Sequence, residues 1–497
     1  MPRTQDIALL QEKHQDAVAV VADEYSMWGQ RLMGHYASRL DDILNRGVAA
    51  VHGESSYRNG QAHPRFGDVS AHFLFGDTKQ LDPVLDSALY RSACDDSVSR
   101  FGKAAFDATN FVISLDQLVR QNPDSDYGQI VQNLREGNAT GDLAFWLSRC
   151  LMFLPTEERD TFNDNNTIHA TCSNSEKNKI NSRYMVGLSN VVIVESRCEG
   201  RHCSGLDDKK AGAAQKIPPV VYLSIDMMVK LTVNILPELG LYNNARGMVK
   251  DFYFVDAEGM IVPYDPENKR QSPVVIVDFP GYTGPPISDA MAAAGKATWV
   301  PIVATERRCD SQQHCCYRIG IPLVVAKADT IHSLQGSTIG DNKPIKRIVI
   351  HWSRQAESRW PNIFYVAATR AMGSHNLALS FSMTQDDLDN IGKGDRWRMQ
   401  NDDADRLTRL ASSFLQEKQA ARAEPWHGDQ EKRWGSAYDL RKKIMRFILR
   451  AETSCQPSIP GESEGRFGPV SQGIKDSILD CLRQWRASLE ALTPIDV

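Results

Sequence analysis

Two adjacent carboxylates, Asp23 and Glu24, close an apolar run at 17–22. A short apolar run of this kind reads as a buried parallel strand. Acidic side chains at the carboxyl end of such a strand lie where open α/β sheets bind ligands. Asp23 there suits Mg²⁺ held beside a nucleotide phosphate, and Glu24 suits orientation of an attacking water. The plainer role of Glu24 is to face the N-terminal dipole of the next helix. Gln80 follows a second apolar run and is placed either to read a γ-phosphate or simply to end a strand. Arg120 and Arg370 are planar cations matched to charge spread over phosphoryl oxygens, or else members of surface ion pairs.

These groups need a scaffold of strands and return helices. Trp28, Leu32, Tyr36 and Leu40 recur at helical spacing after the carboxylates, which predicts a helix packed back on the sheet through that face. Strands are expected at 71–76 and 111–115, a helix at 127–136 closed by Gly137, and a strand at 167–171. Ser173 and Glu176 form a capping-box pattern for a helix through about Met185. From Gly247 to Tyr317 short β-type runs alternate with Pro- and Gly-rich turns, which predicts a small all-β insertion, with an SH3-like barrel the simplest form. The α/β pattern resumes with PLVVAKA at 322, KRIVIHW at 346–352 and NLALSFS at 376–382. Beyond about 385 the chain is helical and charged, with an amphipathic helix marked by Ile474, Ile478, Leu482 and Trp485.

The 497 residues, 42% hydrophobic and 24% charged, are ordinary for a globular chain of two to four domains. A net charge of -5 argues against a protein that coats nucleic acid with its whole surface, but allows one that grips a strand in a cleft. No run is long enough for a transmembrane helix, and the first residues lack a secretory apolar core. Ten cysteines are too few for a disulfide scaffold.

Five stretches occur in a telling order: VVADEYSM at 20–27, FGDTKQLDPV at 75–84, LDQLVRQ at 115–121, ADTIHSLQGSTIGD at 328–341 and YVAATRAM at 365–372. Together they resemble motifs II to VI of the PIF1-like/RecD-like branch of superfamily 1 DNA helicases, over roughly residues 1–385. The segment at 231–252 resembles the entry to that family's 2B insertion. The resemblance implies an α/β fold with two RecA-like parallel-sheet domains. Residues 1–160 would form a partial first domain, 161–246 and 321–385 the second, 247–320 the insertion and 386–497 a helical extension. It implies ATP and Mg²⁺ as cofactors, with Asp23 on the metal, Gln80, Gln335 and Gly336 on the nucleotide side, and Arg120 and Arg370 reaching the γ-phosphate across the cleft. It assigns Thr330, His332 and Ser333 to the DNA backbone. The implied partners are single-stranded DNA and forks, handled by a monomer moving 5′ to 3′. The compartment is left open, with nucleus or mitochondrion the expectation for a eukaryotic source.

Three departures qualify this. Thr330 to Gly336 reads TIHSLQG where the common form is TIHKSQG, so Ser333 replaces a frequent lysine and Leu334 a frequent serine. Asp82 stands where proline is usual and would add negative charge near the strand path. Most important, G-x-x-x-x-G-K-[ST] is nowhere present; AAAGKAT at 292–298 is nearest and lacks the leading glycine. Without that amide cradle and lysine the β- and γ-phosphates are poorly held. With only 22 residues before Asp23, the sequence reads as the downstream part of a helicase. The rival expectations are a non-catalytic nucleic-acid-binding remnant and an interaction platform built on the helical extension. Cys198, His202 and Cys203, with Cys309, Cys315 and Cys316, offer zinc-ligand types at spacings unlike common fingers, against ordinary reduced loop cysteines.

Overall fold

The computed structural model describes residues 10–11, 19–44, 71–92, 94–109, 112–113, 119–123, 125–200, 216–255, 260–263, 265, 273–308 and 316–423. The expected strand at 111–115 and the helix around 474–492 lie outside or mostly outside these residues.

Strands β1 (Ala19–Ala22) and β2 (Ala71–Leu74) pair in parallel, Ala19 opposite Ala71 and Ala22 opposite Leu74. Helices α1 (Gln30–Leu44) and α2 (Ser97–Asp107) pack beside them. Their shared core is Met33, Ala37, Leu89, Phe101, Ala105 and Phe106, with Tyr25, Trp28, Tyr36 and Leu74 at its edge. The helix after the carboxylates is therefore present, but its buried stripe runs through Met33 and Ala37, while Leu32 is 49% exposed. The cause is small residues. A Cβ on Gly102 would lie 1.9 Å from the Gln30 carbonyl oxygen, and one on Gly34 would lie 2.1 Å from that of Val98. The face carrying Gly34 and Ala37 allows the closest helix approach, and the bulkier stripe turns aside.

The second core is larger. Helix α3 (Asp126–Glu136) begins at Ser125, whose side chain accepts from Gly128 N–H, and ends at Gly137 with φ of 73°, a left-handed conformation that suits glycine. Strand β3 (Thr167–Thr171) leads into α4 (Asn174–Val186), capped by Ser173 accepting from Glu176 N–H. Antiparallel pairing begins already at Val192–Glu195 with Val220–Leu223, upstream of the run that starts at Gly247. Strands β4 (Met228–Leu231), β5 (Arg246–Val255), β6 (Pro273–Asp278), β7 (Trp299–Ile302) and β8 (Leu323–Val325) form one antiparallel sheet in the order β7-β6-β5-β4-β8. The first half of PLVVAKA thus closes this sheet. Strands β9 (Ala328–Thr330), β10 (Arg347–His351) and β11 (Leu377–Leu379) join β3 in a wholly parallel sheet ordered β9-β3-β10-β11.

Helices α5 (Ile331–Leu334), α6 (Arg354–Arg359) and α7 (Ile363–Ala368) cover it. Every residue of α7 is buried, as expected of a helix that is apolar all round. Trp146 meets Phe364 edge-on at 4.9 Å in this core. Tyr127, Ile130, Val131 and Leu134 of α3 pack here too, so the polypeptide following the first sheet is anchored on the second. A long helix, α8 (Asp395–Ala423), follows.

Candidate functional site

The two parallel sheets present their carboxyl ends to a common polar cleft. At the end of β1 the chain turns through Glu24, which holds φ 54° and ψ 39°, an uncommon conformation for a residue with a side chain. Backbone bonds from Phe75 N–H to Ala22 and from Tyr25 N–H to Phe75 lock the ends of β1 and β2 together. Asp23 Oδ1 accepts from Glu24 N–H at 2.8 Å, and the Asp23 side chain is exposed. Glu24 Oε2 is buried with no hydrogen-bond partner among the described residues. Burial, and next the Asp23 charge, raise the Glu24 carboxyl above its ordinary value, while Arg370 and Arg120 pull it down.

The charges of Arg370 and Arg120 both reach this carboxylate, with no ion pair to it among the described residues. A small set of bonds at the carboxyl end of α7 brings them together. Arg120 donates from Nη1 to the Thr369 carbonyl (3.1 Å) and from Nε to Thr338 Oγ1 (3.2 Å). Gln121 Nε2 donates to the carbonyls of Thr369 (3.0 Å) and Ala371 (2.7 Å), and Tyr127 Oη to that of Ala368 (2.8 Å). Three side chains from one segment thus bond carbonyls at and just beyond the helix end, two of which have no backbone partner among the described residues. Arg370 is 2% exposed and donates to the Val366 carbonyl and to Thr369 Oγ1, both at 3.0 Å. Neither arginine has a carboxylate within salt-bridge distance among the described residues. Burial, then the charge of Arg120, lowers Arg370 to about 10.

Gln80 also faces the second lobe, where its Oε1 accepts from Gln335 Nε2 at 2.7 Å. Two residues assigned separately to the nucleotide side are therefore in direct contact. Gln335 Oε1 is buried without a partner among the described residues. Gly336 sits at φ 81°, with open space where a Cβ would stand. Thr330 caps α5 by accepting from Ser333 N–H, and its hydroxyl donates to Ser333 Oγ at 3.0 Å. Beneath it, buried Asp329 receives Lys230 at 2.6 Å and Arg246, so the antiparallel sheet is ion-paired to the strand that carries Thr330. The His332 ring is held edge-on to Trp360 at 4.9 Å, and burial lowers its pKa, which favours the neutral ring.

Two departures from the common motif take on a different meaning. Leu334 is fully buried and fills the second core. Asp82 is 9% exposed and bound to Tyr90 Oη at 2.8 Å, Arg91 Nη2 at 3.1 Å and Gln400 Nε2 at 3.1 Å. It is a compensated structural carboxylate, so the expectation that it adds free negative charge to the strand path is corrected. Of the cysteines considered for zinc, Cys198 is exposed; Cys203, Cys309 and Cys315 and the Cys316 side chain lie outside the described residues.

Sequence reasoning missed a second cross-cleft group. Asp77 Oδ2 accepts from Arg135 Nη1 (2.8 Å) and from Tyr365 Oη (3.3 Å), and Arg135 also donates to Tyr365 Oη (2.9 Å). Asp77 is the last residue of FGD at 75–77, just past the end of β2, so its place at a strand end was a usable signal. Arg135 gave none, because it looks like any cation in the last turn of an amphipathic helix.

No family model and no curated protein matches this sequence. Solved structures do match its fold. Pif1 helicase from Candida albicans is 20% identical with a TM-score of 0.51, over 78% of this chain and 79% of that one. Bacteroides Pif1 bound to ssDNA is 17% identical with a TM-score of 0.51, over 81% and 78%. A structure described as DNA unwinding at forked dsDNA by two coordinating Pif1 helicases is 16% identical with a TM-score of 0.51, over 82% and 78%. The chain has the fold of the PIF1-like superfamily 1 helicases.

Proposed function

We propose that this chain forms the γ-phosphate-sensing and strand-gripping parts of an ATP-dependent DNA helicase that moves 5′ to 3′. The observation that carries this is that Arg120 and Arg370, held together at the end of α7 with no ion pair among the described residues, stand within electrostatic reach of Glu24 between two parallel sheets. A buried and a half-buried guanidinium, neither in an ion pair among the described residues, make a site for an anion. A triphosphate terminus fits this donor set, because planar guanidiniums bind its oxygens and Glu24 stands where a water would be oriented. Asp23, exposed beside it, would hold the Mg²⁺ that accompanies the nucleotide. The Gln80–Gln335 bond joins the two lobes at the same cleft and would be exchanged for phosphate contacts on closure. Thr330 and Ser333 offer hydroxyls for the strand backbone without base preference.

The lack of a G-x-x-x-x-G-K-[ST] segment favours a second reading, a strand-binding protein without turnover. Hydrolysis and binding separate the two. ATP hydrolysis by this chain is expected to be at or near background even with oligothymidylate present, and ATP·Mg is expected to change its affinity for the oligonucleotide. Strand-stimulated turnover would show that the missing loop is dispensable. Strand affinity indifferent to ATP would favour the remnant.

A further inference from the structure

A cavity of about 600 Å³ opens between the loop at 82–99 and the segment around Trp360, within the size range of ligand sites. Its wall draws on the first lobe at Arg31 and 82–99, on the end of α6 at Arg359 and Trp360, and on Arg396 in the first turn of α8. We propose that it takes one nucleotide unit of single-stranded DNA, with the base against Trp360 and the flanking phosphates on Arg31, Arg359 and Arg396. This rests on the DNA-strand reading above and specifies where a base is held.

The charge inventory supports it. Each acid of the wall is already engaged. Asp82 binds Arg91 and Tyr90, Asp86 accepts the backbone N–H groups of Leu32 and Ser87, and Asp96 caps α2 at Ser99. Arg91 is used up by Asp82. Arg31, Arg359 and Arg396 are exposed, and none has a carboxylate within 4 Å among the described residues, although the Arg31 charge reaches Asp96. Arg396 is held in place by donating to the Arg359 carbonyl at 2.6 Å, and the Arg359 guanidinium lies 5.6 Å from the centre of the Trp360 ring. Unspent guanidiniums around an indole are the chemistry of single-strand grooves, where bases stack and phosphates pair. Trp360 also touches His332 edge-on, so the cavity adjoins the α5 segment that offers its hydroxyls to the backbone.

The test uses the full chain and fluorescein-labelled oligothymidylate, with anisotropy followed across a salt series. Trp360→Leu should weaken binding about tenfold or more with the salt slope unchanged, and Trp360→Phe should restore most of it. Arg396→Gln, at an exposed position, should weaken binding and reduce the magnitude of the salt slope by about 0.7, the share of one single-strand phosphate contact. Melting curves establish that each variant is folded. Trp360→Leu and Arg396→Gln binding as wild type does, with wild type binding tightly, would overturn the subsite alone. Competition by free dTMP as effective per nucleotide as by the strand would overturn it in favour of a mononucleotide pocket. No binding by wild type would defeat the DNA reading itself.

Discussion

Arg370 carries a full charge at 2% exposure and is held by only a carbonyl and a hydroxyl. Its pKa of about 10 lies below the ordinary arginine value of 12.5, so at neutral pH the charge costs stability, on the order of 3 kcal/mol. That cost persists below pH 10 and fades as pH rises through the window between the two values. An anion bound between Arg120 and Arg370 would offset it. Arg370→Met is therefore expected to melt no lower than wild type, yet to lose the rise in melting temperature that pyrophosphate or ATP gives wild type. A wild type whose melting is untouched by either anion contradicts this. Glu24 argues the same way with the opposite charge. Its raised pKa means that the folded state favours the proton, so its contribution to stability is lost as pH rises from the ordinary carboxylate value through the raised one. Glu24→Gln should be at least as stable as wild type at pH 8, and the two should converge near pH 4. Urea unfolding at the two pH values checks it; a glutamine variant less stable at pH 8 would mean that the carboxylate has a partner.

The elements that hold these residues depend on a few buried polar anchors. Gln30, fully buried on α1, donates from Nε2 to the carbonyls of Ala88 (3.1 Å), Arg91 (3.1 Å) and Ser92 (3.0 Å), and its Oε1 accepts from Cys94 N–H (3.0 Å). One amide thus fixes the loop that forms a wall of the proposed strand cavity. Gln30→Leu keeps the volume but strands those backbone groups, at a cost of about 3 kcal/mol. Amides at 86–96 should then exchange faster with solvent, while those of β10 do not change. Uniform protection would show that the loop stands without the anchor. Gln30 is also a case of what the sequence could not disclose. A glutamine at the start of a helix looks like a surface residue, and its partners lie 58 to 64 positions away. The strands of the second sheet were legible because parallel strands buried on both faces are written as apolar runs. The caps at Ser173 and Gly137 were legible because local hydrogen bonding dictates them. The contact face of α1 was not, because hydrophobic spacing pointed to Leu32 while close approach at Gly34 and Gly102 decided the outcome.

Between the lobes, some of the side chains that cross from one to the other were legible in the sequence, Gln80 with Gln335 and Arg120 among them, and others were not. The places of Asp23, Glu24, Gln80, Arg120 and Arg370 around one cleft were legible from type and order. Arg135 and Tyr365 were not, since only the docking of α3 on the second core carries Arg135 back to Asp77. The same holds for α8, which ties the cleft together from behind. Its Trp397 ring packs on Gly137 and Gly392, with Lys79 Nζ 4.8 Å from the ring centre. Lys79 is 6% exposed, and burial, then the Arg135 charge, lowers it to about 8. Gln400, 2% exposed, accepts from Asn362 Nδ2 (2.8 Å) in the second lobe and donates to Asp82 Oδ1 (3.1 Å) and the Gln80 carbonyl (3.3 Å) in the first. Arg406, farther along, lies over Phe106 of the first core. A helix bonded to both lobes and to the backbone of Gln80 cannot be indifferent to their separation. Gln400→Leu removes the amide from both lobes at once and leaves Asn362 and Asp82 short of partners. Amides at 79–91 and 362–364 are expected to lose protection together, while Ile168 and Ala170 in the parallel sheet keep theirs. Loss confined to one lobe would mean that α8 belongs to that lobe alone and does not couple the two.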